Sequence, residues 1–141
     1  MAVFVDKNTK VMVQGITGTQ ASFHIQRAIK YGTNIVAGVV PNKKENVYLG
    51  VPVFDTVAEA KDKTGAKASI VFVPAKAAKS AILEAIRAQL DLVVVITSGI
   101  PVSDMMEIRQ EMAHSKTILI GPNSPGIITP HEAYMGINTI L

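Results

Sequence analysis

The 141 residues include no cysteine and no tryptophan. Without thiols, disulfides, thiolate nucleophiles, cysteine-ligated zinc and iron–sulfur clusters are all excluded. Aromatic residues make up only 5%, so valine, isoleucine, alanine and methionine must build the core. Long apolar runs are missing too: the longest are strand-sized, far short of the ~20 residues that cross a bilayer. The opening Met1-Ala2-Val3-Phe4-Val5-Asp6 shows neither a basic leader region nor a cleavage site. A cytoplasmic protein with no membrane partner is therefore expected. Charge of either sign is sparse. The balance of 14 basic to 11 acidic residues leaves +3, with no basic cluster interleaved with aromatics. That pattern predicts no nucleic-acid partner. What is plentiful is hydrophobic surface, 48% of residues at a mean hydropathy of +0.30, which supports a real core and excludes disorder. One domain over residues 1–141 is the expectation.

Strand-like and helix-like segments alternate along the chain. A short β-type run over 10–14 stops at Gly15. Ala21, Ile25, Ala28 and Ile29 then repeat at helical spacing over 21–31, and Gly32 supplies the stop. Residues 34–40 read as a second strand broken by Pro41-Asn42. After a polar loop, 56–64 read as a short helix closed by Gly65, and 68–73 as an apolar strand ended by Pro74. A helix over 80–89 presents Ile82, Ala85, Ile86 and Gln89 on one face. Residues 92–96 form the most β-branched run. Pro101 opens a helix lined by Met105, Ile108 and Met112, and 117–120 make the last strand before the turn-rich Gly121–Gly126 loop. Strands that read as unbroken apolar runs are buried on both faces. Such alternation with short loops implies βαβ units and a parallel sheet. The expected fold is a doubly wound α/β domain, Rossmann-like.

In that fold, ligands bind beyond the carboxyl ends of the strands, near the point where strand order reverses. The first loop at that edge is Gly15-Ile16-Thr17-Gly18-Thr19-Gln20-Ala21. Its glycines permit close approach of a phosphate, and the helix start behind it favours negative charge. Thr17, Thr19 and Gln20 add side-chain donors. The spacing is G-x-x-G-x-x-A rather than the dinucleotide G-x-G-x-x-G, so a tight turn without ligand is the competing reading. The second strand ends in Val39-Val40-Pro41-Asn42-Lys43-Lys44, where a dinucleotide fold usually carries an acid for the ribose hydroxyls. An ammonium there disfavours NAD and fits a ribose bearing an extra phosphate, as in NADP or coenzyme A. Solvated surface lysines are the alternative. Thr97, Ser98, Asn123 and Ser124 lie on two more edge loops, where they either meet a ligand or cap helices and turns, capping being the commoner use.

The three histidines, His24, His114 and His131, form no metal-ligand spacing and no nucleophile–base pair, so no metal site is expected.

Five segments resemble the alpha subunit of succinate–CoA ligase, in one register along the chain. They are Asp6-Lys7-Asn8-Thr9-Lys10-Val11, Gln14-Gly15-Ile16-Thr17-Gly18, Tyr31-Gly32-Thr33, Gly50-Val51-Pro52-Val53-Phe54 and Gly121-Pro122-Asn123-Ser124-Pro125-Gly126. The resemblance covers the amino-terminal, CoA-binding half of that subunit. It implies that Thr17-Gly18-Thr19-Gln20 stands for the family's Thr-Gly-Ser-Gln loop, and that Lys43 is the CoA-binding lysine. The family's Pro-Gly-Lys-Gly-Gly is here Pro41-Asn42-Lys43-Lys44-Glu45, and its Ile-Thr-Glu-Gly-Ile-Pro is Ile96-Thr97-Ser98-Gly99-Ile100-Pro101. Its Pro-Asn-Cys-Pro-Gly appears as Pro122-Asn123-Ser124-Pro125-Gly126, a hydroxyl replacing the thiol.

The resemblance further implies coenzyme A as ligand, a nucleotide-binding beta subunit as partner, and a place in the citric acid cycle. The family joins succinate to CoA at the expense of ATP or GTP through a phosphohistidine. That histidine lies in a second, flavodoxin-like domain, before which this chain ends at Leu141, and none of the three histidines here matches it. By itself the chain is expected not to be catalytic. A stand-alone CoA-binding module and an NADP-dependent oxidoreductase domain are the alternatives.

Overall fold

Unbroken apolar runs do become the centre of a sheet. The structure, a computed structural model, describes residues 4–137; Met1, Ala2, Val3 and Leu141 of the readings above lie outside them. In chain order the elements are β1 (Val11–Gln14), α1 (Thr19–Tyr31), β2 (Ile35–Val39), β3 (Val47–Tyr48), β4 (Val51–Phe54), α2 (Val57–Thr64), β5 (Ala68–Val71), α3 (Ala75–Arg87), β6 (Leu92–Val95), α4 (Val102–Met112), β7 (Ile118–Ile120), β8 (Gly126–Thr129) and β9 (Ala133–Gly136). Seven strands form one sheet in the order β3-β4-β2-β1-β5-β6-β7. All its pairings are parallel except that of β3 with β4.

The central strands are buried end to end and divide their side chains between two cores. Val11 and Val13, Ala68 and Ile70, and Leu92 and Val94 point to the face covered by Ile25 of α1 and by Ala133 and Met135 of β9. Met12, Val71, Val93 and Val95 point to the other face, against Val57 and Ala60 of α2, Ala78, Ile82 and Ile86 of α3, and Ile108 of α4. This period-2 division is what a doubly wound sheet requires of its strands.

Three elements differ from the sequence reading. The stretch after residue 42 is not only a polar loop: it holds β3 and β4, which extend the sheet past β2. Helix α3 begins at Ala75 rather than residue 80, because Ala75, Ala77 and Ala78 are strong helix formers without a large apolar stripe. Residues after Gly126 fold back as an antiparallel β8–β9 hairpin with His131 in its turn at φ 65°. The hairpin closes the α1 face of the sheet. Thr33 Oγ1 donates to Tyr134 O at 2.8 Å and accepts from Tyr134 N at 2.7 Å, so the turn after α1 holds β9.

Candidate functional site

Strand order reverses between β1 and β5: the chain runs outward from β1 through β2 to β4, then returns to β5 on the other side. Beyond the carboxyl ends of β1, β2 and β5 the loops part around a cleft of about 770 Å³. That is within the about 300–1,000 Å³ of small-molecule sites. Thr17, Gly18, Thr19 and Gln20 line it, as does Pro41 after β2. Lys43 lines an adjoining pocket of about 310 Å³, which shares Thr17, Val40 and Pro41 with the main cleft. Two parts of the sequence reading thus converge on one place.

The β1–α1 loop is held by its own backbone. Gly15 N donates to Val39 O at 2.9 Å, tying the turn to β2, and Gly18 N donates to Gly15 O at 3.2 Å. Gly15 lies at φ +86°, and an added Cβ would come within 3.1 Å of Val73 Cγ1. The fold itself requires this glycine. Gly18 is different: its φ of −67° suits any residue, and an added Cβ would meet only ordinary contacts at 3.5 Å and beyond. Nothing within the described residues demands a glycine there.

Lys43 owes its position to the strand pair that sequence reading missed. Asp55, just after β4, accepts the Lys43 backbone N–H at 2.9 Å, and Lys43 Nζ donates to Asn46 Oδ1 at 2.7 Å. Val53 N in turn donates to Asn46 O at 2.9 Å, which fixes that loop to the sheet edge.

Two helices begin at the cleft, and both leave their first N–H groups without a side-chain cap. Helix α1 starts from Gly18 and α3 from Pro74, neither with an acid in its first turn. Of the other two helices, α2 has a side-chain cap, and α4, also without one, has an acid in its first turn. Thr56 caps α2, accepting from Glu59 N at 3.2 Å, and Asp104 sits in the first turn of α4. The dipoles of α1 and α3 therefore present uncompensated positive ends to the cleft. Its ionisable lining is Lys76 and Glu84. Glu84 is engaged elsewhere, its Oε2 accepting Val57 N at 2.6 Å.

The remaining predicted residues share the edge but not the cleft lining. Ile96 is half-buried against the core, and Thr97 Oγ1 donates to Val73 O at 2.7 Å. Ser124 Oγ accepts Gly126 N at 3.0 Å, the turn-capping use. The two loops are joined, since Asn123 N donates to Thr97 O at 2.8 Å. Ser98 and Asn123 are exposed, and their side chains make no hydrogen bond among the described residues.

Sequence reading missed Gln14, Phe72, Lys76 and Ser80, all of which line the cleft. The end of β5 at Pro74 was the available signal, since it too is a carboxyl end at the switch point. His24 lies behind the site on α1, its ring stacked 6.3 Å from that of Phe72. Burial, and secondarily the Arg27 guanidinium, push His24 below the usual histidine pKa. His114 follows α4 in an exposed position. Among the described residues no cluster of three His, Asp or Glu could hold a metal ion, and no helix is long and apolar enough to cross a membrane.

Residues 6–99 match the CoA-binding domain family. The chain belongs to that family. As a CoA-binding domain it is 56% identical, over 137 residues, to the alpha subunit of ADP-forming succinate–CoA ligase from Staphylococcus aureus. The match to the Staphylococcus epidermidis subunit is 55%. Each alignment covers 97% of this chain and 45% of the relative, so the chain spans less than half the length of those subunits. The same domain fold occurs in ATP citrate lyase from Methanothrix soehngenii, solved with citrate and coenzyme A. That structure superposes with a TM-score of 0.80 at 23% identity, over 95% of this chain and 24% of the lyase.

Proposed function

We propose that this chain is the CoA cradle of the alpha subunit of a succinate–CoA ligase, which makes succinyl-CoA at the expense of a nucleoside triphosphate and, in reverse, cleaves it to form one. The observation that carries the reading is the 56% identity to that subunit across 97% of the chain. The cleft supports it independently, with two uncapped helix starts and almost no acid, a setting suited to a phosphorylated ligand. Identity to a ligase subunit favours this reading over a stand-alone module or an NADP-dependent oxidoreductase. The reading brings with it a nucleotide-binding beta subunit as partner and a cytoplasmic setting.

CoA supplies the thiol that becomes the thioester. Thr17, Gly18, Thr19 and Gln20 would receive its phosphates on backbone N–H groups and hydroxyls, and Pro41 would wall the adenosine end. Lys43 would pair with the ribose phosphate, as its place in the adjoining pocket favours. Ile96, Thr97, Ser98, Asn123 and Ser124 would guide the thiol end, with Ser98 and Asn123 offering unengaged side chains. The chain's work in this reading is binding and orientation, which turn an encounter between thiol and acyl donor into a positioned reaction. The phosphorylated histidine would belong to the part of the ligase outside the span matched here.

Incubation of this chain with labelled ATP, succinate, CoA and a beta subunit tests the reading. No label on this chain is expected. Supplying the carboxyl-terminal half of a relative's alpha subunit separately should then give label on that half and succinyl-CoA. Acid-labile label on His24, His114 or His131 would contradict it.

A further inference from the structure

Helix α3 carries two lysines one turn apart with different surroundings. Lys79 is held by α4, with Nζ 3.7 Å from Asp104 Oδ1 and 3.2 Å from Glu107 Oε2, and the hydrogen bond and charge of Glu107 raise its pKa. Lys79 joins two helices. Lys76 makes no ion pair and no hydrogen bond among the described residues, and it lines the main cleft.

The one carboxylate of the cleft lining, Glu84, lies about two turns further along α3 and makes no ion pair with Lys76. Glu84 Oε2 accepts the backbone N–H of Val57 at the start of α2. Lys43 lines the adjoining pocket beyond β2, together with Lys44, and is anchored on Asn46. Lys76 and Lys43 thus line different parts of one continuous edge, the main cleft and the pocket adjoining it. Lys76 stands on the helix that covers the opposite face of the sheet from α1, and it lines the same cleft as the β1–α1 loop.

We propose that Lys76 is a specificity-determining cation of the cleft, reading the diphosphate of CoA while Lys43 reads the ribose phosphate. The inference rests on the CoA reading above and assigns the charge that reading left unassigned. A lysine acts here as a flexible point charge that needs no fixed geometry, so its contribution is electrostatic and screened by salt. It favours ligands with a diphosphate over those without one.

Calorimetric titration of the full chain tests it, with CoA, dephospho-CoA and 4′-phosphopantetheine as probes. Wild type, Lys76→Ala, Lys76→Arg and Lys43→Ala are compared, with circular dichroism to confirm folding. Lys76→Ala should weaken CoA and dephospho-CoA by the same factor, roughly 3- to 5-fold for an exposed charge. It should also flatten the salt dependence of both, and Lys76→Arg should restore most of the loss. A smaller effect on 4′-phosphopantetheine, which lacks the diphosphate, would support the assignment. Unchanged affinity in Lys76→Ala, with Lys43→Ala still weakening CoA, overturns the inference and leaves the CoA reading standing. A loss confined to CoA and absent with dephospho-CoA overturns it as well, placing Lys76 on the ribose phosphate. If the wild-type chain binds none of the three, both the inference and the CoA reading fall.

Discussion

Ser69 Oγ on β5 donates to Gln14 Oε1 at the end of β1 at 2.8 Å, directly across the point where strand order reverses. The other end of the same amide donates from Nε2 to Ala81 O on α3 at 2.8 Å. Gln14 is only 2% exposed and Ser69 fully buried, so the amide is a satisfied polar link between β1, β5 and α3 beneath the cleft. Such a link sets how far α3, and with it Lys76, stands from the β1–α1 loop.

Removing one partner leaves a buried acceptor unsatisfied. Ser69→Ala is expected to destabilise the chain by ~1–3 kcal/mol. Urea unfolding checks this, and a loss near zero would mean that the amide finds another donor.

The two glycines of the first loop separate what the fold needs from what the ligand needs. Gly15→Ala forces a side chain into a left-handed conformation against Val73, and should lose about 1–2 kcal/mol of stability. Gly18→Ala should leave the unfolding midpoint near that of wild type and weaken CoA, because only a ligand would approach that backbone closely. Equal CoA affinity for Gly18→Ala and wild type would remove Gly18 from the site.

Much of this arrangement was legible in the sequence, and the failures have physical causes. The buried strands read clearly because Val93, Val94 and Val95 or Ile70 and Val71 face apolar layers on both sides, leaving no polar alternation to confuse the pattern. Strand β4 was hidden because Pro52 interrupts its run, and proline normally argues against an interior strand. It is tolerated here because Pro52 is exposed and pairs only with the two-residue β3. The start of α3 was set too late because the apolar stripe of Ile82, Ala85 and Ile86 is strongest in its second half. That error removed Lys76 from view. The hairpin was missed because β8 is only partly buried, begins at Gly126 and lies between Pro125 and Pro130, turn residues that make the segment read as loop.

Lys43 carries a sharper expectation than mere contact. Lys43→Ala should weaken CoA more than dephospho-CoA, since a charge aimed at the ribose phosphate has nothing to grip once that phosphate is gone. A charge-assisted contact of this kind is worth about 1.5–3 kcal/mol. Equal losses for both ligands would place Lys43 on the diphosphate or on nothing. A larger effect from Lys44→Ala would transfer the role to that residue.

The environment of His24 makes stability depend on pH with a definite sign. Burial, then Arg27, lower its pKa from 6.5, so the folded chain binds the proton less well than the unfolded one. Stability from this group is present above pH 6.5 and is lost as pH falls below it toward the lowered folded-state value. Thermal unfolding across that range should show a decline that His24→Gln reduces. An identical slope in the variant would assign the decline to other groups.

The central claim is that the cleft at the β1–β5 switch point holds CoA. Calorimetric titration of the chain with CoA, NADP and NAD tests it most directly. Saturable binding of CoA, weaker for NADP and weakest for NAD, is the predicted result. Tight binding of NADP with none for CoA would contradict the account.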